Sequence, residues 1–144
     1  MVDTLHAYGA FGLAAPQIGE SIRLALIEIP GGATRYGDLI PMSLSVFINP
    51  VIEVLDPATA GYWEGCLSVP GLRGYVERPQ HVRISYLSDT GEAQSIELEG
   101  FTATVVQHEF DHLDVKPYID RITDTRLLAF EQEYERYALP GNEA

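Results

Sequence analysis

The sequence is poor in cysteine and in basic residues. Its single cysteine, Cys66, excludes an internal disulfide bond and fits a reducing compartment. Nine lysine and arginine residues stand against 21 aspartate and glutamate residues, which gives a formal net charge of −12. Because nucleic acids and anionic membranes repel an acidic surface, we expect no direct binding to either of them.

Long apolar runs are also missing. None approaches the roughly 20 apolar residues that a membrane-spanning helix needs. The start, Met1–His6, has no basic stretch followed by an apolar core, so we expect no secretory signal. These absences favour a cytoplasmic protein.

The composition is that of an ordinary folded domain. The 144 residues are 46% hydrophobic and 21% charged, and both values are typical of globular proteins. A chain of this length can bury a sizeable core. We predict one domain over residues 1–144.

A pair of histidines stands near the end of an apolar-patterned segment, Phe101–Leu113. His108 and His112 are four residues apart, so on a helix they lie on one face, one turn apart. Two imidazoles so placed can bind one metal ion, and Glu109 beside them can handle protons for a metal-bound water. The alternative is a helix with two surface histidines, on which Glu109 and Asp111 are ordinary solvated charges.

The neighbours of the two histidines favour a metal ion. Val105 and Val106 precede His108, and Leu113 follows His112, so this helix faces a core. Burying two histidines and a glutamate there would cost considerable free energy unless something bound them. A metal ion meets that requirement.

Two other segments carry residues with useful chemistry. Gly9–Gly19 is rich in glycine and small residues, which indicates close backbone approach, and Gln17 is its one side chain that both donates and accepts hydrogen bonds. Gly61–Pro70 is aromatic-rich and contains Cys66. A lone cysteine there can be core filler, a nucleophile or a metal ligand.

The pattern of apolar residues predicts an α+β fold: mainly antiparallel strands packed around a buried metal-binding helix, with a C-terminal helix. Leu44–Leu55 reads as strand broken at Asn49-Pro50, and Asp56-Pro57 is expected to start a turn. Further strands are expected over residues 22–29, 72–76, 82–87 and 95–98.

Two more helical segments and one loop complete the predicted order. Asp3–Tyr8 reads as the tail of a helix, and Gly31–Pro41 reads as a loop. The C-terminal helix is expected over Thr123–Tyr137, with Asp124 capping its start.

Three separated motifs occur in a fixed order: Gly12–Gln17, Glu64–Ser68 and His108–His112. Together they resemble the peptide deformylase family. Each motif is weak alone, whereas three in order over about two-thirds of the chain form a specific signal.

The resemblance implies a catalytic metal centre. Cys66, His108 and His112 would bind one divalent metal ion and leave a fourth position for water. A thiolate ligand favours metals such as Fe(II) or Zn(II) over Mg(II) or Ca(II). The family implies Fe(II) in the cell, with Zn(II), Ni(II) or Co(II) able to replace it in a purified sample.

The resemblance also assigns the reacting groups. Glu109 would be the general base that takes a proton from the metal-bound water and the acid that delivers it to the leaving amine. The Gln17 amide and the Leu67 backbone N–H would hold the oxyanion that forms as hydroxide attacks the formyl carbon.

The implied substrate is the N-formylmethionine of newly made polypeptides, in bacterial-type or organellar translation. Gly12 and Gly65 would let the substrate backbone approach, and Arg73 would contact the peptide. The residues expected to line the methionine pocket are Phe11, Tyr62, Phe101 and Val105.

The sequence departs from the family pattern in two places close to the motifs. Ala10 stands where family members usually have the first glycine of the glycine-rich motif. Its methyl group could narrow the substrate cleft on one side. The glycine common after the metal helix is absent, and 114–116 occupy that region, so we expect the helix to end another way.

The two ends of the chain depart as well. Family members usually begin with a further strand and helix, of which Met1–Tyr8 would be the last turns. We expect either a start codon assigned late or a shortened member whose exposed surface a partner chain covers, as in a homodimer. The last helix carries Glu131, Glu133 and Glu135 and few basic residues, so at most transient contact with the ribosome is expected.

Three hypotheses follow. The leading one is a metal-dependent hydrolase that removes the formyl group from N-formylmethionine. The second is a degenerate relative that binds metal or peptide without turnover, motivated by Ala10 and the short start. The third is a metallopeptidase of the H-E-x-x-H type, which is disfavoured because those enzymes usually take a third histidine or a glutamate as ligand rather than a cysteine.

Overall fold

The computed structural model describes residues 1–34 and 37–138, and for 32–34 and 37–38 it describes the backbone alone. The strands of this described part are β1 (Gly12–Ala14), β2 (Leu24–Ile29), β3 (Gly32–Thr34), β4 (Gly37–Leu39), β5 (Met42–Cys66), β6 (Val69–Leu87), β7 (Ala93–Glu99) and β8 (Leu128–Phe130). They pair antiparallel in the order β1-β2-β5-β6-β7, with β8 also paired to β6 and β3 paired to β4. The predicted fold of mainly antiparallel strands around a buried helix is confirmed.

A long hairpin of β5 and β6 dominates the sheet. Its paired residues run from Ile48 opposite Leu87 to Cys66 opposite Val69. The turn that follows Cys66 consists of Leu67 and Ser68. The hairpin therefore presents the cysteine at its tip.

The predicted breaks within this hairpin are wrong. Asn49-Pro50 falls at a bulge between the paired residues Ile48 and Val51, and Asp56-Pro57 lies at further register shifts rather than in a turn. Proline lacks a backbone N–H, but a bulge leaves its position outside the hydrogen-bonded ladder. The segments predicted separately at 72–76 and 82–87 belong to one strand, β6.

The core lies between this sheet and helix α2 (Phe101–Leu113). Phe47 of β5 is fully buried, and its ring contacts Phe110 of α2 at 5.4 Å between centroids. Val82, Ile84, Ala103 and Val106 are also completely buried in this cluster. A smaller cluster joins helix α1 (Val2–Tyr8) to the sheet through Leu5, Leu13 and Leu26.

Helix α2 has the predicted bounds, but its end differs from the expectation. The N–H of Val115 donates to the carbonyl of His112 at 3.1 Å, and that of Lys116 donates to Asp111 at 2.9 Å. This is the paired Schellman arrangement that usually places glycine in the left-handed region. Here Val115 occupies it, with φ of 59°. The helix therefore ends in the usual geometry with an unfavourable residue.

The predicted helix at Thr123–Tyr137 is wrong in its first half. Asp124 caps a single 3-10 turn, Thr125–Leu127, by accepting from the N–H of Arg126. β8 follows and pairs with Leu72–Gly74 of β6. The helical part is confined to α3 (Glu131–Glu133) and its continuation in π-helical geometry, Tyr134–Ala138. Strand pairing across the fold outweighs the local helical pattern.

The region predicted as a loop, Gly31–Pro41, contains the short pair β3 and β4, while residues 35–36 lie outside the described part. Among the described helices, none combines the length and apolar character needed to cross a membrane.

Replacing Val115 with glycine is expected to stabilise the protein. A left-handed conformation costs a non-glycine residue roughly 1–2 kcal/mol, and Val115 is 84% exposed, so little packing is lost. We expect Val115→Gly to raise the free energy of unfolding in urea by about 1 kcal/mol. The control, Val51→Gly, changes an exposed valine of β5 and should lower it. An unchanged or lower value for Val115→Gly would contradict the strained helix end.

Candidate metal centre

Three side chains predicted as ligands converge at one point. His108 and His112 lie one turn apart on α2, with 5.3 Å between ring centroids. Cys66 reaches them from the hairpin tip, and its Sγ lies 3.3 Å from Nε2 of His112. One ligand atom from each of the three residues lies within 4.8 Å of the others. A thiolate and two imidazoles form a donor set that suits a divalent transition metal.

A buried glutamate orients His108. The Glu64 side chain is 7% exposed, and its Oε1 lies 2.7 Å from Nδ1 of His108. Nδ1 is therefore engaged, which leaves Nε2 of His108 as the nitrogen available to a metal. Such a carboxylate behind a histidine ligand fixes the ring and raises its basicity.

Arg78 balances the charge of Glu64 and links it to α2. Its Nε and NH2 groups donate to the two oxygens of Glu64 at 2.8 and 3.0 Å, and its NH1 donates to Asp111 at 2.9 Å. Arg121 donates to the same Asp111 carboxylate at 2.8 and 3.0 Å. A continuous chain of charge-assisted hydrogen bonds thus runs from Arg121 to His108.

This chain keeps its acidic members ionised. Burial alone would raise the pKa of Glu64, but hydrogen bonds from His108 and Arg78 hold it below its usual range. Burial opposes ionisation of Asp111 as well, and Arg121 and Arg78 lower its pKa. The prediction that Asp111 is one of the ordinary solvated charges, offered as the alternative to a metal site, is therefore wrong.

The electrostatics of the ligand cluster favour a cation. Burial would raise the pKa of Cys66, but hydrogen bonds with His108 and His112 lower it to about 5, so the sulfur is a thiolate at neutral pH. Burial would lower the pKa of His108, but Cys66 and Glu64 raise it to about 10. The surroundings that hold a proton on His108 also favour a metal cation, which would displace that proton on binding, and these residues fit a divalent metal.

Glu109 lies beside the ligands and is 6% exposed. Among the described residues its Oε2 is buried without a hydrogen-bond partner, and burial raises its pKa. A Cβ placed on Gly12 would lie only 2.4 Å from Cγ of Glu109. Glycine at position 12 thus makes room for the Glu109 side chain. This packing requirement is a second explanation for the glycine, in addition to the predicted approach of the substrate backbone.

Gln17 is held with its amide nitrogen toward the ligand sulfur. The backbone N–H of Ala14 donates to its Oε1 at 2.8 Å, and its Nε2 lies 3.1 Å from Oγ of Ser68 and 3.5 Å from Sγ of Cys66. Leu67 lies in the turn directly after Cys66. Both predicted oxyanion donors are therefore next to Cys66, one of the predicted metal ligands.

A cleft of about 990 Å³ opens beside these residues. Phe11, Phe101 and Val105 line it, as predicted for the methionine pocket, and the Phe11 and Phe101 rings meet edge to face at 6.0 Å. Tyr62 is not among the lining residues, but its ring contacts Phe101 at 5.2 Å. Tyr62 therefore supports a wall of the cleft from behind.

The two remaining predicted substrate residues contact each other. A Cβ on Gly65 would lie 2.5 Å from NH1 of Arg73, so the guanidinium rests on the glycine backbone. Arg73 also pairs with Glu131 at 3.0 Å. Arg73 and Glu131 both line the cleft.

Sequence reasoning missed the supporting roles of Glu64, Arg78 and Asp111. Glu64 stands in the cysteine motif, two residues before the ligand, and this position is the one local signal for it. Arg78 is 14 residues from Glu64 and 33 from Asp111. Those pairings depend on the hairpin register and on helix docking, which no local pattern encodes.

Comparison with known proteins agrees with this geometry. The family model described as polypeptide deformylase matches residues 1–127. The chain is 38% identical over 135 residues to a peptide deformylase of Leptospira biflexa, covering 94% of this chain and 75% of that protein. It is 46% identical over 125 residues to peptide deformylase 1 of Bordetella pertussis, covering 86% and 70%.

Solved structures are similar over the same region. A peptide deformylase from Synechococcus elongatus, in complex with actinonin, matches with a TM-score of 0.77 and 30% identity, covering 98% of this chain and 70% of that one. The peptide deformylase of Thermotoga maritima matches with a TM-score of 0.74 and 40% identity, covering 86% and 77%.

Neutralising Glu64 is expected to weaken metal binding. Without its charge, His108 loses the acceptor that orients it, and loss of such a partner typically costs about 10- to 100-fold in metal affinity. We expect the dissociation constant of Zn(II), measured by chelator competition, to rise by about this factor in Glu64→Gln.

The matched control is Glu77→Gln, which changes an exposed glutamate of β6 and should leave the constant unchanged. Circular dichroism would verify that both variants fold. A folded Glu64→Gln protein with wild-type affinity would rule out the orienting role.

Proposed function

Since the chain belongs to the polypeptide deformylase family, its reaction is the removal of the formyl group from N-formylmethionine peptides, and we propose that Cys66, His108 and His112 form its metal centre. The observation that carries the proposal is the convergence of these three ligand atoms within 4.8 Å, beside the buried Glu109, whose Oε2 has no hydrogen-bond partner among the described residues.

The family is metal-dependent, and we propose Fe(II) as the metal in the cell. The thiolate of Cys66 and the two imidazoles are soft and borderline ligands that suit Fe(II) and also Zn(II), Ni(II) or Co(II). When bound, such a cation supplies Lewis acidity, which lowers the pKa of water and polarises the formyl carbonyl.

Glu109 is proposed to move the proton. Its Oε2 is buried, and no described residue donates to it, so this oxygen is available to accept a proton from the attacking water. Returned to the amine nitrogen, that proton completes hydrolysis: water and the formamide become formate and a free amino terminus. A formamide has a poor leaving group, so this protonation is as necessary as activation of the water.

Gln17 and Leu67 are proposed to stabilise the transition state. Oε1 of Gln17 already accepts a hydrogen bond from Ala14, which fixes Nε2 as a donor directed at the centre. Together with the backbone N–H of Leu67, it can donate to the oxygen of the tetrahedral intermediate. Donors held in place before the reaction need no reorganisation as charge develops.

The substrate side of the proposal rests on the cleft. Phe11, Phe101 and Val105 provide an apolar wall next to the ligands, and we propose that the methionine side chain lies against it. Gly12 and Gly65 add no side chain of their own at this end of the cleft, where Glu109 and Arg73 lie against their backbones. The degenerate binder receives no support from the comparisons, because the relatives are peptide deformylases.

The cellular setting remains a proposal. Formylated nascent chains occur where translation starts with formylmethionine, so we propose that the protein acts there, in the cytoplasm or an organelle. Contact with the ribosome would be transient, since Glu131, Glu133 and Glu135 make the C-terminal segment acidic. A homodimer stays a prediction.

The role of Glu109 can be separated from metal binding. We expect Glu109→Gln, purified without oxygen, to retain wild-type metal content and to lose about 10²- to 10⁴-fold in kcat on formyl-Met-Ala-Ser, because proton transfer typically contributes that much. A chelator should abolish wild-type turnover, and added metal should restore it.

Glu99→Gln, a change at an exposed residue of β7, serves as the matched control and should turn over normally. Wild-type protein that carries metal but releases no formate would overturn the proposed function. Full activity in Glu109→Gln would instead remove Glu109 as the proton carrier.

A further inference from the structure

The C-terminal segment forms part of the substrate cleft. β8 pairs with β6 so that Ala129 lies opposite Arg73 and Phe130 lies opposite Leu72. This register carries the next residue, Glu131, to the cleft, where its Oε1 lies 3.0 Å from NH2 of Arg73.

The guanidinium of Arg73 is held on three sides. It rests on the backbone of Gly65, pairs with Glu131, and lies 5.8 Å from the ring centroid of Tyr134. Tyr134 is 3% exposed and packs against Trp63 at 5.2 Å. Arg73 itself is 19% exposed, compared with 43% for Glu131. The arginine is therefore fixed in place while its partner borders solvent.

Arg73 has hydrogen-bond donors that its pairing with Glu131 does not use. A guanidinium carries five N–H donors and no acceptor, and the described contacts give one of those donors a carboxylate partner. A peptide main chain offers carbonyl acceptors, which match the remaining donors of Arg73. Gly65 directly precedes Cys66 in the chain. The guanidinium therefore lies beside the path that a bound peptide would follow as it extends away from the metal centre.

We propose that Glu131 is a positioning residue that holds Arg73 as a clamp for the part of the peptide beyond the methionine. The inference rests on the proposed function for the identity of the peptide. Holding the guanidinium in its binding orientation before the peptide arrives reduces the entropy lost on binding. Loss of Glu131 should therefore weaken binding of peptides long enough to reach Arg73 and leave the chemical step intact.

The test compares two neutral substrates, the C-terminal amides of formyl-Met-Ala and formyl-Met-Ala-Ser-Ala, in metal-loaded protein. We expect Glu131→Gln to raise KM for the longer peptide about three- to ten-fold, as for loss of one hydrogen-bonding partner. Its kcat and the KM for formyl-Met-Ala should change less than about two-fold. In the Arg73→Gln background, the same change should have no further effect.

Glu133→Gln is the matched control, since Glu133 lies in the same helix and is exposed outside the cleft lining. It should behave as wild type toward both peptides. A lower KM in Glu131→Gln would overturn the proposal, because it would mean that the carboxylate competes with the peptide for Arg73. Equal effects on both peptides, or additive effects in the double variant, would also overturn it.

Binding of the deformylated product, Met-Ala-Ser-Ala, distinguishes this inference from the proposed function. Its affinity is measured by calorimetry without turnover. If the wild type failed to deformylate but product affinity still fell in Glu131→Gln, the proposed function would fail and the clamp would stand. Normal turnover, together with a product affinity that is unchanged in Glu131→Gln, would refute the clamp alone.

Discussion

The buried ion pair between Glu64 and Arg78 is the interaction on which the centre depends. Their side chains are 7% and 5% exposed, and each lowers the free-energy cost of burying the charge of the other. Compared with well-packed apolar residues, buried ion pairs contribute little net stability. Here the pair fixes the orientation of His108 and ties both strands of the hairpin to α2.

The position of the pair explains why three distant segments meet. Cys66 lies two residues after Glu64 in β5, so the strand that carries the carboxylate also carries the ligand. Arg78 reaches Asp111, which stands one residue before His112 on α2. The two glutamates of the centre thus differ in their surroundings: Glu64 is saturated with donors, whereas Glu109 keeps an oxygen without a described partner. In the proposed mechanism, Glu64 orients the ligand His108 and Glu109 exchanges the proton.

The sequence predicted the parts whose signals are local. The spacing of His108 and His112 within an apolar pattern identified α2 with its correct bounds, and the three motifs identified the residues that meet around the centre. Pairings set by tertiary structure were missed: Arg78 with Glu64, and β8 with β6. Proline at positions 50 and 57 was read as breaking strands because a bulge has no simple signature. The helix predicted from Thr123 failed because strand pairing with Leu72–Gly74 outweighed a weak periodicity.

The most direct test of the account is X-ray absorption spectroscopy of the iron-loaded protein, kept free of oxygen, with Cys66→Ser as the control. A centre formed by Cys66, His108 and His112 should give one sulfur ligand at about 2.3 Å and two imidazole nitrogens at about 2.1 Å, taking zinc sites as the guide, and the sulfur signal should be lost in the variant. A spectrum of the wild-type protein without a sulfur ligand, or one unchanged in Cys66→Ser, would contradict it.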